Sequence, residues 1–445
     1  MPKSVLVVSY FFPPVGGAGV QRAAKFVKYL PACGWAPTVL TVSNPSVPLF
    51  DDSMLAEIPA SVEIVKAKTL EPDYKTKHSL SASAAPAKSQ SGLKTKLKNS
   101  VRAIANTLLQ PDPQVLWLPA ALREGKKLLK AKKFDAIFVT APPFSSLVLG
   151  AMLSRDSGVP LVVDYRDEWD ISNSVWENKI SNGFASSIQS RMQRFVLKQA
   201  NTVIATTSLS VAALKQKLQA LGKTATSTAC IYNGFDPDDF AFLDHNEPKA
   251  RSAKIKLSYV GTLWNLTSIA PLVTALEQMY ADSPTQTARI ELEIAGRRTA
   301  DQEAVLARLN ATNVTLTLHD YLDHSDALKM MWQSDVLVLL LSDYEFAGRV
   351  VPAKTFEYMA LRNTILALCP KGEVWSILDG MSDTTCISPA DIASIKTFLS
   401  ATLARTEEPF AIKQAAGKIE QFNRVNLTAE LADVLNKASE TGNRA

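Results

Sequence analysis

Apolar residues in the first half of the chain fall into short unbroken runs, separated by longer stretches with helical periodicity. The runs at 4–10, 38–42, 136–140, 161–164 and 202–206 predict strands. Continuous Val/Ile/Leu runs between helices are the mark of a parallel sheet covered on both faces. A second series begins near Lys256, with strands over 257–260, 290–295, 314–318, 335–340 and 364–368. Helices over 269–280, 302–309 and 326–333, and another opening at Pro352, separate them. The fold class this predicts is α/β, as two Rossmann-like doubly wound domains facing a central cleft. Residues 1–245 form the first domain and 254–405 the second, with Pro and charges over 236–253 marking the linker. Residues 406–445 form a C-terminal helical segment, its helix over about 412–437, expected to cross back to the first domain.

One segment, about 74–111, interrupts the first domain. Residues 75–93 are rich in Ser, Ala, Lys and Pro and read as a loop. Beyond them Leu93, Leu97, Val101, Ile104, Ala105 and Leu108 recur at helical spacing as an apolar stripe. Seven basic residues and no acid stand between Tyr74 and Pro111, so of the net +5 the rest of the chain carries −2. A charge so confined points to a local contact and excludes a generally basic nucleic-acid binder. Two readings of the stripe stay open. Either its leucines lie in an anionic headgroup layer with Lys94, Lys96, Lys98 and Arg102 beside it, or it packs on the domain with a solvated basic face.

The remaining composition excludes other classes. A chain that is 47% hydrophobic and 20% charged is expected to fold. The longest clean apolar run is 336–341, far short of a membrane span, and only Lys3 precedes the first apolar stretch. The protein is therefore expected in the cytoplasm. Cys33, Cys230, Cys369 and Cys386 lack metal-ligand spacing and read as buried thiols. For His319 and His324 no acidic or cysteine partner at helical spacing supports a site, so no metal is expected.

Three constellations carry chemistry. Gly16-Gly17-Ala18-Gly19 lies between the first strand and its helix, where glycines let the backbone approach a phosphate at a helix N-terminus. It does not match the dinucleotide pattern, so a phosphate or sugar loop and a simple turn both remain. The second is Arg349 to Tyr358, in which Pro352 suits a first helical turn and Lys354 falls within it. A cation there opposes the helix dipole unless an anion stands in front of it. Glu357, one turn on, is placed for a ribose diol while Lys354 reaches phosphates, or the two form a plain i, i+3 ion pair. In the third, Asp164, Arg166, Asp167 and Glu168 close a buried strand, where α/β domains place active groups. A network tying strand to loop, such as Arg166 on Asp164, is the plainer alternative.

Together these elements resemble family 4 of the retaining glycosyltransferases, over most of the chain and in order. The matching segments are Ser9 to Pro14 with Gly16, Gly17 and Gly19, then Asp164 to Trp169, Ile231 to Asp236, Tyr259 to Thr262, Ala295-Gly296, and Pro352 to Tyr358. The resemblance implies the GT-B fold and a nucleotide-sugar co-substrate with no other cofactor. It implies that Glu357 holds the nucleotide ribose and that the glycine loop approaches the diphosphate and the transferred sugar. Gly261, Arg297, Arg349 and Lys354 join the donor site, and Arg166, Asp167 and Lys354 are the catalytic candidates. The family's first glutamate is replaced here either by Arg349, eight positions before Glu357, or by Glu345, four further upstream. Its usual His-Asp is here Arg166-Asp167, and its Arg and Lys are absent from Gly261 to Asn265. Arg297, Arg349 or Lys354 would then supply the phosphate charge. The implied reaction is metal-independent transfer with retention, onto a saccharide or lipid-linked acceptor of bacterial surface polysaccharide. A nucleotide-sugar 2-epimerase and a non-catalytic partner subunit are the alternatives.

Overall fold

A computed structural model describes residues 2–76, 109–175, 183–242, 254–405 and 416–442. The basic stripe 93–108, most of its loop, and 243–253 of the expected linker lie outside them. The chain divides into two units, Met1–Tyr232 with Arg424–Ala445, and Asn233–Asn423.

The first unit holds a seven-stranded sheet of parallel neighbours in the order β3-β2-β1-β4-β5-β6-β7. Its strands are β1 Lys3–Val8, β2 Trp35–Val42, β3 Glu63–Ala67, β4 Ala136–Ala141, β5 Leu161–Tyr165, β6 Thr202–Ala205 and β7 Ser227–Cys230. Both faces are covered, which is why the central strands read as unbroken apolar runs. Leu6 and Val8 pack with Leu128, Leu147 and Leu153 on one side, while Val5 and Val7 pack with Phe26 and Val27 on the other. Leu427, Leu431 and Leu435, an i, i+4 stripe on the helix Arg424–Gly442, join that second face. Lys3 Nζ adds hydrogen bonds to Asn436 (2.9 Å) and Ser439 (3.1 Å) of the same helix.

The second unit has a six-stranded sheet, β10-β9-β8-β11-β12-β13, again of parallel neighbours. It comprises β8 Ile255–Val260, β9 Ile290–Ala295, β10 Thr315–His319, β11 Val336–Leu340, β12 Thr364–Leu368 and β13 Thr384–Ile387. Leu257, Leu292, Val338 and Leu366 meet Leu272, Leu276, Ile395 and Leu399 in its core.

Several expectations are corrected. β3, β7 and β13 are additional strands at sheet edges, where half-exposed residues leave no apolar run. The single helix over 412–437 is instead Ala416–Glu420 and Arg424–Gly442, interrupted at residues 421–423. Of the four free cysteines only Cys369 is buried; Cys33, Cys230 and Cys386 are half-buried. No helix among the described residues is long and apolar enough to cross a membrane.

Candidate functional site

In each unit the strand order reverses direction at one place, between β1 and β4 in the first and between β8 and β11 in the second. Doubly wound sheets bind ligands at this switch, beyond the C-terminal strand ends. The glycine loop follows β1, Gly261 follows β8, and the Lys354–Glu357 turn follows β11. Two of the three constellations thus flank a switch point.

In the second unit the helix Lys354–Leu361 begins just after Pro352, with no side chain capping its N-terminus. Tyr358 positions it: its hydroxyl accepts from Val260 N–H (3.4 Å) and donates to Val338 O (3.3 Å), joining the helix to β8 and β11 at the switch. Glu357 is buried in the first turn, and Lys354 Nζ donates to its Oε2. The i, i+3 ion pair is thus present, but it is neither exposed nor alone. His324 Nε2 lies 3.6 Å from Glu357 Oε1. Burial pushes the Glu357 carboxyl up; the Lys354 charge and His324 outweigh it and hold it down at about 2. The site therefore offers a carboxylate that stays ionised although buried.

The other donor candidates take different positions. Arg297 is exposed after β9, while its neighbour Arg298 is committed to Gly296 O (2.8 Å), His319 O (2.7 Å) and Asp320 (3.0 Å). Arg349 is half-buried and stacks over Phe346, 4.7 Å from the ring centre. Glu345 is exposed. Gly296 has φ 124° and its N–H donates to Asp320 O (2.6 Å); a Cβ there would sit 2.2 Å from Gly261 O. Only glycine lets these two loops approach so closely.

In the first unit Gly17 caps the helix Ala18–Tyr29 at φ 99°, without a side-chain cap. Gly16 N–H is held by Leu49 O at 3.0 Å. The Arg166 guanidinium donates to Gly19 O, Pro142 O and Ala141 O, the last at 3.2 Å. Arg166 therefore fastens the glycine loop to the end of β4 and is not the partner of Asp164. That partner is Arg22, whose Nε and Nη2 bind the fully buried Asp164 at 2.9 and 2.8 Å. Arg22 also donates to Tyr232 O (2.7 Å) and Ile231 O (2.9 Å), and Thr140 hydroxyl donates to Asp164 at 2.7 Å. Asp167 keeps an exposed surface, although protein around it desolvates the carboxyl and pushes it up against the pull of Arg166.

Sequence reasoning missed Arg22, whose one signal is an arginine among the apolar residues of an otherwise buried helix face. Both histidines meet an acid, in each case from another element of the chain. His319 Nε2 meets Glu293 Oε1 at 2.9 Å and His324 meets Glu357, each a carboxylate from a distant element. One carboxylate apiece is not a metal-ligand set. Asp236, in the run Asp236-Pro237-Asp238, caps the short helix Pro237–Phe240 by accepting from Asp238 N–H at 3.1 Å.

Residues 16–220 match the family described as "Glycosyl transferase 4-like domain". No curated protein matches the chain. Solved structures resemble it along nearly its whole length at low identity. HepE of Anabaena, in complex with UDP, is 14% identical with a TM-score of 0.61, covering 98% of this chain and 100% of its own. The N-terminal domain of Candida albicans trehalose-6-phosphate phosphatase is 10% identical with a TM-score of 0.63, covering 98% and 97%. A UDP-forming trehalose-phosphate synthase of Burkholderia xenovorans, with glucose-6-phosphate, is 12% identical with a TM-score of 0.60, covering 98% and 100%. The chain accordingly has the GT-B fold of two Rossmann-like domains, and its residues 16–220 are similar to a glycosyl transferase 4-like domain.

Proposed function

We propose that the protein is a retaining, metal-independent glycosyltransferase, moving a sugar from a nucleotide-sugar to an acceptor in cell-surface polysaccharide or glycolipid synthesis. The observation that carries this reading is Glu357, a buried carboxylate held ionised beside Lys354 at the switch point of the second unit. An ionised carboxylate only accepts hydrogen bonds, which suits the two hydroxyls of a ribose. Lys354 has three protons, and one on Glu357 leaves others for a phosphate oxygen. A fixed cation there meets the charge that grows on a departing nucleoside diphosphate. The acceptor oxygen bonds to the anomeric carbon on the face the phosphate leaves, and its proton passes to the leaving phosphate oxygen. Retention then needs no enzymic nucleophile. The match over residues 16–220 supports an acceptor role for the first unit, with Arg166 holding the glycine loop and Asp167 beside it.

Calorimetry with UDP and GDP on the wild type and Glu357→Ala tests the donor site. Loss of charge-assisted hydrogen bonds worth about 1.5–3 kcal/mol should weaken binding about 10- to 100-fold with the fold intact. Unchanged affinity would make Glu357 a structural residue. The working place we propose is the cytoplasmic face of an anionic membrane, on the sequence of 93–108 alone. Changing Lys94, Lys96 and Lys98 to Glu should release the protein from anionic vesicles at low salt. A wild type that ignores such vesicles removes the membrane and leaves a soluble acceptor.

A further inference from the structure

His324 opens the helix His324–Trp332, and Lys354 opens the helix Lys354–Leu361. The opposite ends of these helices are locked together. Asn363, just past the second helix, donates from Nδ2 to Met331 O (2.9 Å), Trp332 O (3.3 Å) and Ser334 O (2.7 Å) at the end of the first. With their C-termini joined and their N-termini side by side, His324 is held at a fixed place beside Glu357. The environment of its Nε2 is unusual. The atom is shut off from solvent and has no hydrogen-bond partner, and its ion-pair neighbour is Glu357 Oε1 at 3.6 Å. A shielded ring nitrogen left unpaired is costly. Closing the gap by roughly 0.6 Å, to an ordinary hydrogen-bond length, would satisfy both groups.

We propose that His324 is a positioning residue of the donor site: it grips Oε1 of Glu357 while Lys354 grips Oε2, so that the free lone pairs of both oxygens face a vicinal diol. This rests on the reading of Glu357 as the donor's ligand. A carboxylate with one donor on each oxygen cannot rotate, and its remaining lone pairs lie in one plane at the spacing of two adjacent hydroxyls. Protonation adds a second effect. With His324 neutral the charges of Lys354 and Glu357 cancel; with His324 protonated the three groups sum to +1, which favours a diphosphate. The groups facing His324 are Glu357 and Lys354 from the neighbouring helix and Asp239 from the short helix Pro237–Phe240. Asp323 and Asp326 belong to its own element. Burial lowers the imidazole's proton affinity, but Glu357, with Asp239 behind it and Lys354 opposing, raises it above the ordinary histidine range. Donor affinity should therefore be highest at low pH and fall as the pH rises through that raised value.

The test pairs two measurements on the full chain. NMR titration follows the four imidazoles, with the His324 signal assigned by its loss in His324→Gln. It should titrate above the ordinary range in the wild type and fall to it or below in Glu357→Gln; an ordinary wild-type value, or no response to Glu357→Gln, overturns the proposal. UDP binding is then measured from pH 5.5 to 8.5, so that the ligand's own titration is common to all variants. His324→Leu should weaken binding about tenfold. His324→Gln, which keeps a donor without a titrating charge, should restore high-pH affinity and lose the histidine's part of the pH dependence. A merely structural histidine would weaken both variants alike, with the pH profile kept. If Glu357→Gln abolishes UDP binding while His324→Leu does not change it, His324 has no such role and the donor reading stands. UDP that ignores the wild type and Glu357→Gln alike removes the donor reading and this inference with it.

Discussion

Lys354 is the residue on which local and tertiary reasoning give opposite signs. A lysine in a first helical turn opposes the dipole, and by that rule its removal should raise stability slightly. In the fold it is the nearest counter-charge of a buried carboxylate, so its removal strands Glu357 with only His324. Lys354→Ala is therefore expected to lower the melting temperature. It should also lower kcat, by about 100-fold, more than donor affinity, because phosphate charge grows toward the transition state. Equal losses in kcat and affinity would show that the lysine attracts the ground state only.

Among the elements of the first unit, one buried ion pair joins four. Arg22 on the helix Ala18–Tyr29 binds Asp164 at the end of β5, beside Thr140 of β4, and holds the carbonyls of Ile231 and Tyr232 that follow β7. Both charged groups are almost fully excluded from solvent. Breaking such a pair leaves an uncompensated buried charge, so Arg22→Met should cost about 3–5 kcal/mol in urea unfolding. Replacing Asp164 by Leu as well should recover most of that loss. A single variant as stable as the wild type would mean that water reaches Asp164. The helix that Arg22 anchors is the one that Gly17 caps, so the glycine loop is held through that helix by Arg22 and by Arg166 at Gly19.

For the whole molecule, the proposed transfer turns on what would neutralise a leaving diphosphate. The proposal gives this to Lys354, with Arg297 and Arg349 as further cations of the same unit. Activity on a nucleotide-sugar should then persist in excess EDTA. Inhibition by EDTA that manganese or magnesium reverses would contradict the mechanism. The sequence by itself determined the repeated strand–helix alternation, the central strands of both sheets with the edge strand β10, the glycine turn after β1 and the first-turn Lys354–Glu357 spacing. Each of these is written in residues close together in the chain, through periodicity, glycine backbone freedom and helix-end electrostatics. The edge strands β3, β7 and β13 were not legible, because half-exposed strands lose the apolar run that announces a buried one. Only the tertiary structure decided which charges meet. Arg22 finds Asp164 across 142 residues, Arg166 turns to backbone carbonyls, and His324 is set beside Glu357 by a helix contact that Asn363 fixes. Such pairings depend on how helices pack against a sheet, and local sequence rules reach no further than a turn or two of the same element.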